Sequence, residues 1–182
     1  AVAKSVDGEW ETLALNCTDG HVHMSWDDVS GTVMPVLHRR CVVAFTGDGP
    51  PGFDYVFKSL EEETAAPTYV FLDATVSKVN MKLDAADDGS RERIICAAIA
   101  RFLGLAHVDN AVAVDPARKE LVVKTSPPPR VVFVVVSTQH TTTDTRKPHN
   151  QWMRYANLDS LVACGWIPKV LKEKVGQGNS YA

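Results

Sequence analysis

Polar and apolar residues follow two different periods along this chain. In the first sixty residues the period is two and the runs are short. Residues 10–15 (WETLAL), 21–26 (HVHMSW), 32–37, 41–46 and 55–58 each read as a strand. Within 21–26 the alternation sets His21, His23 and Ser25 on one face and Val22, Met24 and Trp26 on the other. Pro35 restricts its run to an edge or a bulged strand, because proline cannot donate to a ladder. Residues 47–52 (GDGPPG) make a loop. Glu61, Glu62 and Glu63 form a solvated acidic turn that Pro67 closes.

After Pro67 the elements lengthen. Residues 68–83 predict a long strand, with Val70, Leu72, Ala74 and Val76 in alternation, and residues 84–89 a polar turn. Ser90 is a good helix N-cap, with Glu92 in the first turn where the dipole favours a carboxylate. Ile94, Ile95, Ala98, Ile99, Phe102 and Leu103 then recur at helical spacing, with Arg91, Arg93 and Arg101 on the other side. Gly104 is placed for the left-handed position that ends a helix. Residues 108–114 and 120–124 predict two strands about an Asp115-Pro116 turn, and Pro127, Pro128 and Pro129 an extended connection. Residues 131–137 are almost all valine and phenylalanine, which predicts a central strand buried on both faces. Residues 138–150 read as a polar loop. Two short helices follow, the first over 158–164 and the second starting at Pro168.

The fold class this pattern predicts is α+β. A β-rich, sandwich-like half spans residues 1–66, and an α+β half with short C-terminal helices spans 67–182. With 182 residues the chain is long enough to bury a sizeable core. Its 45% hydrophobic and 23% charged residues are those of a globular domain and argue against disorder. The net charge of −3 offers no global basic field for nucleic acid, and the longest apolar run is too short to span a membrane. The start at Ala-Val-Ala-Lys, without Met, suggests a processed product or an excerpt of a longer chain.

From residue 74 on, the order strand, helix, strand, turn, strand resembles a SEA-type or ferredoxin-like βαββ module of large extracellular, fibrocystin-like surface proteins. The residues that carry it are Ala74-Thr75-Val76, the helix end Ile99-Ala100-Arg101-Phe102-Leu103-Gly104-Leu105, Val112-Ala113-Val114 and Val131-Val132-Phe133-Val134-Val135. The resemblance covers roughly a third of the chain, residues 68–138, with a permissive pattern. It implies a scaffold in an extracellular or cell-surface setting. Self-cleaving SEA modules carry a Gly-Ser pair before the last strand. This chain has Ser126-Pro127-Pro128-Pro129-Arg130 there, so autoproteolysis is not implied.

Candidate chemistry is sparse. His21-Val22-His23 projects two imidazoles to one face of a strand, as a metal site requires, with Asp27, Asp28 and His38 as further donors. The competing reading is a solvated polar face opposite Val22, Met24 and Trp26. Cys17, Cys41, Cys96 and Cys164 lie too far apart in sequence for a zinc finger. In an extracellular setting Cys17 and Cys41 are the expected disulfide pair. Asn16-Cys17-Thr18 is a glycosylation sequon at Asn16. Residues 47–52 lack the Gly-Lys-Ser/Thr ending of a phosphate loop, and prolines remove its amide donors. Asp84, Asp87 and Asp88 do not match a calcium loop. His107, His140 and His149 are scattered. Arg146, Lys147, Arg154, Lys169, Lys172 and Lys174, with Trp152 and Tyr155, make the C-terminal part locally basic.

No catalytic residue and no cofactor follow from these features. They point to a non-catalytic structural or protein-protein interaction module of a larger surface assembly, with other protein subunits as partners. Two alternatives stand beside it. One is an accessory subunit of an intracellular or organellar complex such as a ribosome, and the other a metal-dependent enzyme using His21 and His23.

Overall fold

Strand β6 (Thr68–Thr75) and strand β9 (Arg130–Ser137) pair in parallel along their whole length, from Thr68 opposite Arg130 to Thr75 opposite Ser137. Their side chains explain why this pair sits at the centre. Val131, Val132, Phe133, Val134, Val135 and Val136 are all buried, so neither face of β9 meets water. The structure, a computed structural model, describes residues 2–4, 10–12, 21–29, 41–59, 66–75, 90–137 and 151–157. The expected elements over 32–37, 158–164 and from Pro168, the loop over 138–150, and the part of the long strand beyond Thr75 lie outside these residues.

Around the central pair the other strands are β1 (Val2–Lys4), β2 (Trp10–Thr12), β3 (His21–Ser25), β4 (Cys41–Thr46), β5 (Tyr55–Ser59) and β10 (Arg154–Asn157). Among the described residues they form an eight-stranded sheet with the central pair, in the order β2-β1-β10-β9-β6-β5-β4-β3. The pairs β3·β4, β6·β9 and β9·β10 are parallel and the rest antiparallel. The protein is thus α+β, mostly strands, with a mixed sheet. The boundary expected near residue 66 falls between β5 and β6, which pair from Tyr55 opposite Leu72 to Ser59 opposite Thr68.

Helix α1 (Ser90–Phe102) covers one face of the sheet. Ile95, Ala98, Ile99 and Phe102 face inward onto Val43, Val56, Phe71 and Phe133, and all are buried. Edge-to-face ring contacts tie the layers, with Phe71 and Phe102 centroids 5.6 Å apart and Phe53 and Phe71 5.0 Å. Ile94, expected in the apolar stripe, is instead half exposed, because it lies at the edge of the helix's buried arc. Arg101, expected to face solvent, turns inward. Its guanidinium lies 4.6 Å from the Trp26 ring centroid and donates to the Trp26 carbonyl at 3.0 Å. Trp26 itself belongs to a 3-10 turn (Trp26–Val29) and not to the preceding strand.

The helix ends as its sequence predicts. Gly104 has φ of +75°, its N–H donates to the Arg101 carbonyl, and the Leu105 N–H donates to the Ala100 carbonyl at 2.7 Å. These two bonds are a Schellman motif, and Leu105 packs against the core. The chain then forms an antiparallel hairpin of β7 (Val112–Asp115) and β8 (Glu120–Val123), a two-stranded sheet of its own. Asp115 sets the turn by accepting from the Ala117 and Arg118 amides at 3.0 and 3.2 Å. The first of these strands begins at Val112, four residues later than expected, and Val108 is exposed.

Candidate functional site

Three features bring chemical side chains together. The best built is a cleft of about 300 Å³ between the β7–β8 hairpin and the start of β9. Its floor is apolar, with Leu121, Val123, Val131 and Trp152 all buried. Its rim carries Arg118, Arg130 and Arg154 against one carboxylate, Glu120. Register explains two of the three. Arg154 sits opposite Val134, so it falls in step with Arg130 and Val132 on the same side of the sheet. Arg154 is held by donating from Nη1 to the carbonyls of Trp152 at 3.1 Å and Lys119 at 3.2 Å. Arg118 projects from the hairpin turn, 3.8 Å from Asp115 and 3.9 Å from Glu120. Partial burial lowers the pKa of Arg130, and the neighbouring charge of Arg154 lowers it further.

A second groove, of about 420 Å³, lies along residues 44–55 and includes His23, Asp48 and Asp54. Asp54 is committed to structure there, its Oδ2 accepting from the Ala74 amide at 2.9 Å. The third groove, about 430 Å³, runs between α1 and β7 past Cys96. Burial and then the charge of Glu92 push the Cys96 thiol up to about 12. At neutral pH that thiol is protonated, and a protonated thiol is a poor nucleophile.

The residues singled out from the sequence fall as follows. Backbone register places His21 opposite Val42 and His23 opposite Ala44, on the strand that ends the sheet among the described residues. His23 is exposed, as are Asp27 and Asp28, and Val22, Met24 and Trp26 pack against the core. No three His, Cys, Asp or Glu side chains among the described residues are grouped to hold a metal ion. Cys41 is a fully buried thiol in the core cluster. Its expected bridging partner Cys17 and the sequon residue Asn16 lie outside the described residues, as do His38, His140, His149 and Cys164. Residues 47–52 form a loop. Arg154 was grouped with the C-terminal lysines on sequence. It joins Arg118 and Arg130 instead, residues 36 and 24 positions earlier by their numbers. The short strand β10 carries it there. Its sequence, RYAN, has little to mark it as a strand beyond Tyr155.

Among the described residues Asp73, near the C-terminal end of β6, is a buried carboxylate. Arg91, in the first turn of α1, approaches it at 3.8 Å. This pair ties the start of the helix to the central strands.

No family model matches this chain, and no curated protein and no solved structure is detectably similar to it.

Proposed function

We propose that this chain is a non-catalytic interaction module that works within a larger multi-protein assembly. The cleft beneath the hairpin carries this reading. Guanidinium groups are fixed cations that bind anionic groups and stay protonated at neutral pH. A rim of three arginines and one glutamate over an apolar floor is suited to holding a partner. It lacks the paired acid and base that proton-transfer chemistry uses. The thiol that lies in a groove, Cys96, stays protonated and serves as packing.

The resemblance to SEA-type and ferredoxin-like modules supports an extracellular or surface setting, and the sequon at Asn16 agrees with it.

Native mass spectrometry of material isolated from its source tests the reading. The expected result is a complex with other protein chains, and an added mass on Asn16 that a glycosidase removes. A monomer that carries a stoichiometric metal ion, lost in the His21→Ala plus His23→Ala variant, overturns it in favour of a metal enzyme. An unmodified Asn16 removes the support that the sequon lends to the extracellular setting.

A further inference from the structure

The loop between β4 and β5 holds a reactive junction, Asp48-Gly49. An aspartyl carboxyl can be attacked by the amide nitrogen of the next residue when three conditions hold. The carboxyl is unengaged, the next residue keeps its N–H, and no side chain blocks the approach. Asp48 meets them. It is exposed, and no hydrogen bond or ion pair holds its carboxylate among the described residues. Gly49 has no Cβ to hinder the approach, and it sits at φ of +37°.

The other described aspartates each fail a condition. Asp54 commits Oδ2 to the Ala74 amide at 2.9 Å and is followed by the bulky Tyr55. Asp73 is buried, and the amide after it is that same Ala74, already donating to Asp54. Asp115 precedes Pro116, which has no N–H, and its Oδ1 accepts from the Ala117 and Arg118 amides. Asp28 precedes Val29, which is β-branched and buried. Asp27 and Asp109 are exposed, but the side chains of Asp28 and Asn110 crowd the amides that follow them. The pairs Asp7-Gly8, Asp19-Gly20 and Asp88-Gly89 lie outside the described residues.

We propose that Asp48-Gly49 is a site of covalent self-modification in the folded protein, which converts Asp48 to isoaspartate. The Gly49 nitrogen attacks Cγ of the protonated Asp48 carboxyl, and an N–Cγ bond forms. The amide proton and the carboxyl hydroxyl leave together as one water, which closes a succinimide ring. A water then adds to one of the two ring carbonyls. Opening at Cγ restores aspartate. Opening at the former main-chain carbonyl leaves the chain running through Cβ and Cγ, with the old main-chain carboxylate as the side group. Overall composition and charge are unchanged. The loop backbone is one carbon longer between Ala44 and Tyr55, which face each other in the β4–β5 ladder. The carboxylate also shifts along the groove that Asp48 lines with His23.

Ageing the full chain at neutral pH, then digesting it with trypsin and fragmenting the peptides by electron transfer, tests this. Cleavage after Arg40 and Lys58 isolates residues 41–58, in which Asp48-Gly49 is the only Asp-Gly pair. With ageing this peptide should gain an isomer of unchanged mass that elutes apart and gives isoaspartyl fragments at residue 48. A fresh sample digested in parallel sets the background. Asp48→Glu should lose the isomer, because glutamate must close a larger and slower-forming ring. The residue is exposed, so circular dichroism of that variant should match the parent. Three results each overturn the proposal: no isomer above background in residues 41–58 of the aged folded chain, an isomer that maps to Asp54 instead, or an isomer that persists in Asp48→Glu. None of them bears on whether the chain is found in an assembly, so the broader reading is judged separately.

Discussion

Gly52 shows how a residue chosen for packing resembles one chosen for chemistry. It closes the Gly-Asp-Gly-Pro-Pro-Gly loop, whose glycines and prolines invite comparison with a ligand-binding loop. Its φ is +94°, and a Cβ built on it would lie 2.7 Å from Cγ1 of Ile95, which is fully buried in α1. The glycine lets the loop press against the helix. Gly52→Ala is expected to cost about 2–4 kcal/mol, from backbone strain plus overpacking, as read by urea unfolding. Gly47, with φ of +70° and nothing within 4 Å of a built Cβ, supplies the control. Gly47→Ala should cost about 1 kcal/mol, the backbone share alone. Equal losses at both positions would show that contact with Ile95 does not matter. Sequence marks both residues as turn glycines, and only their distance to the helix tells them apart.

At the scale of elements, α1 was the most legible part of the chain. Its inward Ile95, Ala98, Ile99 and Phe102 and its end at Gly104 follow from spacing and capping, and its first residue is Ser90. Local sequence determines these because each depends on bonds within one or two turns. The reversal of Arg101 toward Trp26 was not legible, since the partner lies 75 positions away. The helix also makes a pH prediction. Cys96 titrates near 9.0 when unfolded and near 12 when folded, so the folded state keeps a proton that the unfolded state loses. Its contribution to stability is complete below pH 9 and is lost as pH rises from 9 toward 12. Tyr69, raised by burial and then by Cys41, acts in the same direction. Urea midpoints should therefore fall from pH 9 upward, and fall less steeply in Cys96→Ala. A parallel decline in the two proteins would show that the thiol takes no part.

At the scale of the whole molecule, the sheet runs without a break across the point where composition changes. Strands β4 and β5 share a hydrophobic cluster with β6, β9 and α1 through Val43, Val56, Phe71, Phe133 and Ile99. A shared core and a continuous ladder predict one cooperative unfolding transition. In native-state hydrogen exchange, amides of Val42, Val56, Phe71 and Phe133 should open with similar free energies, near the global value. Separate transitions for the two sides of residue 66 would show two independently folding units. What the sequence determined by itself was the identity of the longer elements, because alternation, helical spacing, caps and turn residues act over a few neighbours; the short strands β1 and β10 carry no such signal. Strand β9 was legible as central and doubly buried from its composition alone. The tertiary structure decided the order and direction of the strands, and with them the cleft. Arg118, Arg130 and Arg154 come from a hairpin turn and two parallel strands, and no local signal links them. They meet because β10 enters beside β9 at Val134, a register set by packing across the sheet and not by any neighbour in the chain.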